Sequence, residues 1–259
     1  MIVSSSQAHI YWFIHSNHYR NLVTKQYKKM ALTKNNRFVD NYIPNLRRDY
    51  WNPIVGYRAR STLSLEQSVE SLVQFVDKVK EYAEEAKIKS TKSTQLTINE
   101  SAAVYLYTMK TSFYERFNQT LRTENPPALE PWLDFLKLLI NGLAKLPSCK
   151  GTLWRGVANI DASKFSVGDT FTWWSVTSCS SYASVAAGFT CDKGILFCIN
   201  TIHGKDIKVY SEATNGEEEV ILMPGTSLRV KDKTFDVHGF SVIHLEEWLV
   251  CLRNVLNAN

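Results

Sequence analysis

The chain has 259 residues, 44% of them hydrophobic and 21% charged, and a formal net charge of +5. That is enough apolar material for one sizeable core, and we read one domain. The charge is spread thinly, with no Lys/Arg run dense enough for a nucleic-acid footprint, so nucleic acid is set aside as a partner.

Residues 1 to about 60 are rich in Asn, Tyr, Lys and Arg with little periodicity, and Pro44 and Pro53 interrupt what pattern there is. A partly disordered extension is expected there, turning into an extended cover near Tyr50 to Tyr57. The apolar patch Ile10–Ile14 is too short to span a bilayer and lacks the flanks of a signal peptide, and no hydrophobic tail follows at the other end. We therefore expect no membrane span and a soluble chain, cytoplasmic rather than secreted. Five cysteines (Cys149, Cys179, Cys191, Cys198 and Cys251) cannot all pair within one chain, and none forms a CxxC or a zinc-type Cys/His cluster. A reduced compartment and no bound metal follow as expectations.

From Ser64 the pattern sharpens. Ser64-x-x-Gln67 is a capping-box start, and Leu65, Val69, Leu72, Val73, Val76, Val79, Ala83 and Ala86 recur at helical spacing, predicting a helix to about Lys87. After a Ser/Thr/Lys linker from Lys89 to Thr94, Thr97-x-x-Glu100 repeats the device. A second helix carries the stripe Ala103, Leu106, Met109 or Lys110, Phe113, Phe117 and Leu121. Its aromatics, Tyr105, Tyr107, Phe113, Tyr114 and Phe117, read as core packing. A third helix runs from Pro131 through Trp132, Leu136, Leu139, Ile140 and Leu143 until Pro147 stops it.

After Cys149 the texture changes to short β-type runs at Thr152–Val157, Phe171–Val176, Ile195–Asn200, Ile207–Tyr210, Val220–Leu222, Ser227–Val230 and Phe240–Leu245, with a short helix within Ser180–Gly188. Helices followed by strands indicate an α+β chain. No GxGxxG follows a strand and no GxxxxGK[ST] occurs, so a nucleotide would have to be held by some other device.

Three stretches carry chemistry. Asn215-Gly216 is a turn signal, and Glu217-Glu218-Glu219 runs from it into Val220–Met223, so strand alternation sets Glu217 and Glu219 on one face and Glu218 on the other. Such a pair suits a developing cation, although a Glu run at a strand entrance also protects a solvated edge. Arg155, between Trp154 and Gly156 in an apolar run, is either a buried ion-pair member or a ligand group. Ser178-Cys179-Ser180 ends another strand, and Ser175 to Tyr182 could equally be a serine-rich turn.

Taken in order, Arg, Ser-x-Ser and Glu-x-Glu resemble the arginine-specific mono-ADP-ribosyltransferases with an Arg-Ser-Glu signature. The resemblance is strongest from Gly151 to Val230, with a looser match in Thr97–Thr108 and in Lys145-Leu146-Pro147. It implies a helical part packed on two antiparallel sheets, with NAD in the cleft between them as co-substrate. The extension would be 1–60 and the catalytic domain 61–259, divided into a helical part 61–150 and a β-rich part 151–259. The resemblance implies that Glu219 holds the ribose and stabilises its cation, and that Arg155 faces the NAD phosphates. Gly156 would let the backbone approach the nicotinamide amide, Ser178 would orient Glu219 and the ribose with Ser180 in support, and Glu217 would activate the acceptor guanidinium. Catalytic residues would thus be Arg155, Ser178, Glu217 and Glu219. Residues binding NAD would be Arg155, Gly156, Ser178, Ser180 and Glu219. The partners implied are NAD and an acceptor protein with an exposed arginine, and a monomer is expected. Cys179 departs from the Thr usual in the family. Where relatives present an aromatic ring midway along the loop from Tyr210 to Gly216, Ala213 and Thr214 stand here, leaving Tyr210 as the nearest ring. NAD glycohydrolysis, or an inactive NAD-binding or interaction module, are the alternatives.

Overall fold

A computed structural model describes residues 39–40, 52–158, 161–187, 194–212, 218–232, 235–237 and 240–248. Nearly all of the 1–60 extension, and with it most of the expected cover, lies outside them. Its last described turn, Val55–Ala59, is a 3-10 helix and not an extended strand.

Both capping boxes form. Ser64 and Gln67 exchange side-chain-to-backbone bonds at the start of α1 (Leu65–Ser68), and Thr97 and Glu100 do the same at α3 (Ile98–Thr108). Between them the expected continuous helix is broken. After α1 comes a 3-10 turn at Glu70–Leu72, and α2 (Val79–Lys89) starts only past Lys78, whose φ is 60°. The apolar spacing is nonetheless mostly obeyed: Leu65, Val69, Leu72, Val76, Val79, Ala83 and Ala86 are buried, while Val73, just past the 3-10 turn, is 47% exposed. Periodicity specified which residues go inside and not whether the backbone between them stays helical.

The second expected helix also divides, into α3 and α4 (Phe113–Arg122). A distant residue claims the backbone at the break: Lys110 N donates to the Glu212 carboxylate at 2.9 Å, while Phe113 N donates to Thr111 Oγ1 at 3.2 Å. A short α5 (Pro126–Leu129) and a 3-10 turn lead into α6 (Leu133–Lys145). Where α6 crosses α3, a Cβ on Gly142 would meet Glu100 Cβ at 3.1 Å. Phe113, Phe117, Trp132 and Phe135 pack together in this helical core, Phe135 edge-to-face on both other phenylalanines at 4.7 and 5.2 Å, Trp132 tilted against them, and Phe113 stacked on Phe117.

The strands are β1 (Val39–Asp40), β2 (Ser148–Ala158), β3 (Thr170–Trp173), β4 (Thr177–Ser180), β5 (Gly194–Asp206), β6 (Glu219–Leu222), β7 (Thr226–Val230), β8 (Phe235–Val237) and β9 (Phe240–Glu247). The short helix α7 (Ala183–Ala187) sits where the sequence indicated. The strands follow the order β1-β2-β4-β6-β5-β9-β7-β3, with β8 on β9. A further pairing of β2 with β5 closes β2, β4, β6 and β5 into a ring. Pairing is antiparallel except for β1 on β2 and β5 on β9.

Two expected strands come out differently. Phe171–Val176 is not continuous: β3 ends at Trp173 and β4 begins at Thr177. Ile207–Tyr210 is a 3-10 turn over Lys208–Tyr210, begun when Asp206 Oδ1 takes the Lys208 amide at 2.9 Å.

Candidate active site

β4 and β6 lie side by side, with Ser180 opposite Glu219 and Ser178 opposite Ile221. Cys179, Val220 and Leu222 belong to the core between the strands, and Ile221 to the helical core. Alternation therefore sets Ser178, Ser180 and Glu219 on the face that looks toward the helices. All three are fully buried. The resemblance implied that Ser178 orients Glu219, but Ser180 is the direct cross-strand neighbour and Ser178 stands on the diagonal.

Arg155 comes from the other face. It shares its side of β2 with Leu153 and Val157, members of the strand core, and pairs in register with Phe197. The side chain is buried, with its guanidinium 6.0 Å from the Trp173 ring centre, and Nη1 donates to the Ser178 carbonyl at 2.6 Å. The guanidinium thus grips the backbone of the strand that carries both serines. Gly156, the next residue, is buried and flanked by Leu196 of β5 and Val39 of β1.

Cys179 turns away from this face into the strand core. Burial pushes its thiol up to about 12, while Arg155 pulls it down and Glu219 raises it further. A thiol held protonated in this way is a small packing group and not a nucleophile. The departure from Thr therefore leaves both flanking serines in place.

Ser211 Oγ donates to Glu219 Oε2 at 3.2 Å, and the Glu219 carbonyl accepts from Ile207 N at 3.1 Å. Glu218 makes an ion pair with Lys208 at 3.1 Å and is only partly covered. Adjacent acids thus meet opposite environments, as strand alternation requires. Glu217 lies outside the described residues, as do Ala213 and Thr214.

The stretch ahead of that gap is tied to the helical part. Thr91 Oγ1 donates to the Val209 carbonyl at 2.7 Å, and Tyr210 Oη lies 2.8 Å from Ser93 Oγ and 3.4 Å from Gln95 Oε1. Glu212 N donates to Thr108 Oγ1 at 2.8 Å. Tyr210 is therefore not a ring displayed to an acceptor; it is 4% exposed and serves as an anchor.

Tyr107, Asn118 and Ser211 reach the site without having been singled out as site residues. Tyr107 had the signature of core packing, and Asn118 was a polar position within the second expected helix that carried no signal of its own. No sequence spacing ties either to Ser178. Among the described residues, no group of three or more His, Cys, Asp or Glu is placed to hold a metal ion. No described helix is long and apolar enough to cross a membrane.

Comparison with known proteins bears on this arrangement. The family model for NAD:arginine ADP-ribosyltransferase matches residues 57–248. No curated protein matches the sequence. Among solved structures, Vis toxin from Vibrio splendidus is similar at 22% identity and a TM-score of 0.52, covering 77% of this chain and 93% of its own. Exoenzyme S from Pseudomonas aeruginosa gives 20% and 0.55, covering 74% and 97%. The type III effector XopAI from Xanthomonas axonopodis pv. citri gives 17% and 0.55, covering 89% and 98%. At these identities the neighbours establish a shared fold, and the family model adds the use of NAD as substrate. With that match extending over most of its length, the chain belongs to the NAD:arginine ADP-ribosyltransferase family.

Proposed function

We propose that this NAD-dependent ADP-ribosyltransferase modifies arginine side chains of an acceptor protein, releasing nicotinamide. The observation that carries the reading is the arrangement around β4: Ser178 and Ser180 on one face, Glu219 opposite Ser180, and Arg155 bonded to the Ser178 carbonyl. When the bond between ribose and nicotinamide breaks, nicotinamide leaves with the electron pair and the ribose C1 becomes cationic. A buried carboxylate beside the sugar stabilises charge that exists only in the transition state, and Glu219 takes that role through the ribose 2′-hydroxyl. Arg155 supplies positive charge toward the diphosphate while bracing β4. Gly156 lets the backbone approach the nicotinamide amide, and Ser178 and Ser180 orient the ribose. Glu217 accepts a guanidinium proton, so that the nitrogen lone pair can form the new bond to C1.

Two structural neighbours set the choice of probes: Vis, solved with agmatine, a small guanidine, and exoenzyme S, solved with carba-NAD. The test is incubation with NAD and agmatine, chelator present, followed by mass analysis of wild type, Glu217→Gln and Glu218→Gln. Wild type should yield nicotinamide and an ADP-ribosyl-agmatine adduct. Glu217→Gln should lose the adduct yet still produce ADP-ribose, because water needs no comparable activation, and Glu218→Gln should do neither. Free ADP-ribose with no adduct from wild type would reassign the chain to NAD hydrolysis, and consumption of no NAD would make it an inactive module.

A further inference from the structure

Val176 sits between the end of β3 and the start of β4, where no strand supplies its hydrogen bonds, and two helices supply them instead. Its amide donates to Asn118 Oδ1 of α4 at 3.0 Å, and its carbonyl accepts from Tyr107 Oη of α3 at 3.1 Å. The Tyr107 oxygen also lies 3.1 Å from Asn118 Nδ2 and 3.3 Å from Ser178 Oγ. Tyr107 and Ser178 are fully buried and Asn118 nearly so.

Proton accounting gives this network a direction. A backbone amide can only donate, so Val176 N–H requires the Asn118 oxygen, which turns the Asn118 NH2 toward Tyr107. The Tyr107 proton goes to the nearer and stronger acceptor, the Val176 carbonyl. Tyr107 Oη then receives the Asn118 N–H, and with it the Ser178 hydroxyl as a second donor. Burial raises the Tyr107 phenol above its ordinary value, so the proton stays in place at any working pH. Ser178 is thus held in one rotamer with its lone pairs left to meet a ligand donor such as a sugar hydroxyl. A phenylalanine at 107 would serve the core equally well. The hydroxyl and the Asn118 amide are used on the Ser178 strand.

We propose that Tyr107 and Asn118 are positioning residues for the NAD site, holding the Ser178 hydroxyl in the orientation that nicotinamide release requires. This rests on the functional reading above. The test is steady-state NAD consumption and melting temperature for wild type, Tyr107→Phe, Asn118→Asp, Ser178→Ala and the Tyr107→Phe/Ser178→Ala double variant. Tyr107→Phe should lower kcat about 10- to 100-fold, the scale of a misplaced catalytic contact, with KM within about twofold. In the Ser178→Ala background it should cost nothing more, because it acts through Ser178. Asn118→Asp keeps an acceptor for Val176 N–H but loses the donor to Tyr107, so it should lower kcat less than Tyr107→Phe. It carries the same comparison if the phenylalanine variant melts below the assay temperature. Unchanged kcat in the single variants, or independent, multiplying losses in the double variant, would overturn the proposal. A wild type that consumes no NAD would sink the functional reading instead.

Discussion

A carboxylate as buried as Glu219 must be matched by donors, and the Ser211 hydroxyl is one of them. Replacement by the isosteric amide keeps shape and removes charge. Glu219→Gln should therefore lower both adduct formation and NAD hydrolysis by at least ~100-fold, on the scale of one electrostatic contact made in the transition state. NAD binding, read by calorimetry, should stay largely intact. Near-normal hydrolysis in this variant would move the central role to another acid. Glu219 was legible because Glu-x-Glu before an apolar run is a sequence signal. Its partner Ser211 was not, because a hydroxyl eight positions away becomes a neighbour only through the tertiary fold.

At the scale of elements, the turn ahead of β6 is held on the helical part by Tyr210. Tyr210→Phe leaves the ring in the core and removes the contacts with Ser93 and Gln95. It should cost about 1 kcal/mol, the ordinary net worth of a hydrogen bond, read as a lower melting temperature. It should also reduce transfer to agmatine more than NAD hydrolysis, since this turn leads directly to Glu217. An unchanged product ratio would show that the anchor does not govern the acceptor side. A second tie joins β9 to the far end of β5. The Glu247 carboxylate accepts from Thr201 Oγ1, Ile202 N and His203 N, and pairs with the His203 ring at 2.7 Å. Burial alone would raise Glu247, but the bonds from Ile202 and His203 outweigh it and hold the carboxyl below the usual range. A depressed folded-state value contributes stability above the unfolded-state value, and that contribution is lost as pH falls through the folded-state value. Melting curves on acidification should therefore steepen below the ordinary glutamate range, and Glu247→Gln should flatten that limb. Parallel acid limbs would assign the acid sensitivity elsewhere.

For the whole molecule, the joint between helices and strands rests partly on one buried lysine. Lys205 Nζ of β5 donates to the Leu146 carbonyl at the end of α6, at 2.7 Å, and lies 3.2 Å from Ser148 Oγ. A cation at a helix C-terminus meets the negative end of the dipole and its open carbonyls. Lys205→Met keeps the stem and removes the charge, leaving that carbonyl without this donor. It should cost about 2 kcal/mol, within the range for hydrogen bonds to charged groups. We propose that residues 61–259 unfold as one unit. Far-ultraviolet circular dichroism and tryptophan fluorescence should then report one shared urea midpoint in both proteins. Separate midpoints would divide the chain into two domains.

Some of this was determined by the sequence alone. Capping boxes at Ser64 and Thr97 act within four residues, apolar spacing selects the buried side, and alternation separates Glu218 from Glu219, so each is a local rule that a linear reading captures. The order Arg155, Ser178, Glu219 was likewise enough to indicate the family. What only the tertiary structure decided depends on groups far apart in the chain competing for the same backbone. Glu212 ends α3 by taking the Lys110 amide, and Asn118 and Tyr107 take the Val176 peptide where β3 and β4 separate. Arg155 reaches Ser178 from the opposite face. At Val176 and Arg155 a buried polar group must find a partner, and at Lys110 a backbone amide at the surface finds one. Which partner is within 3 Å or so is set by how layers pack and not by neighbours in sequence.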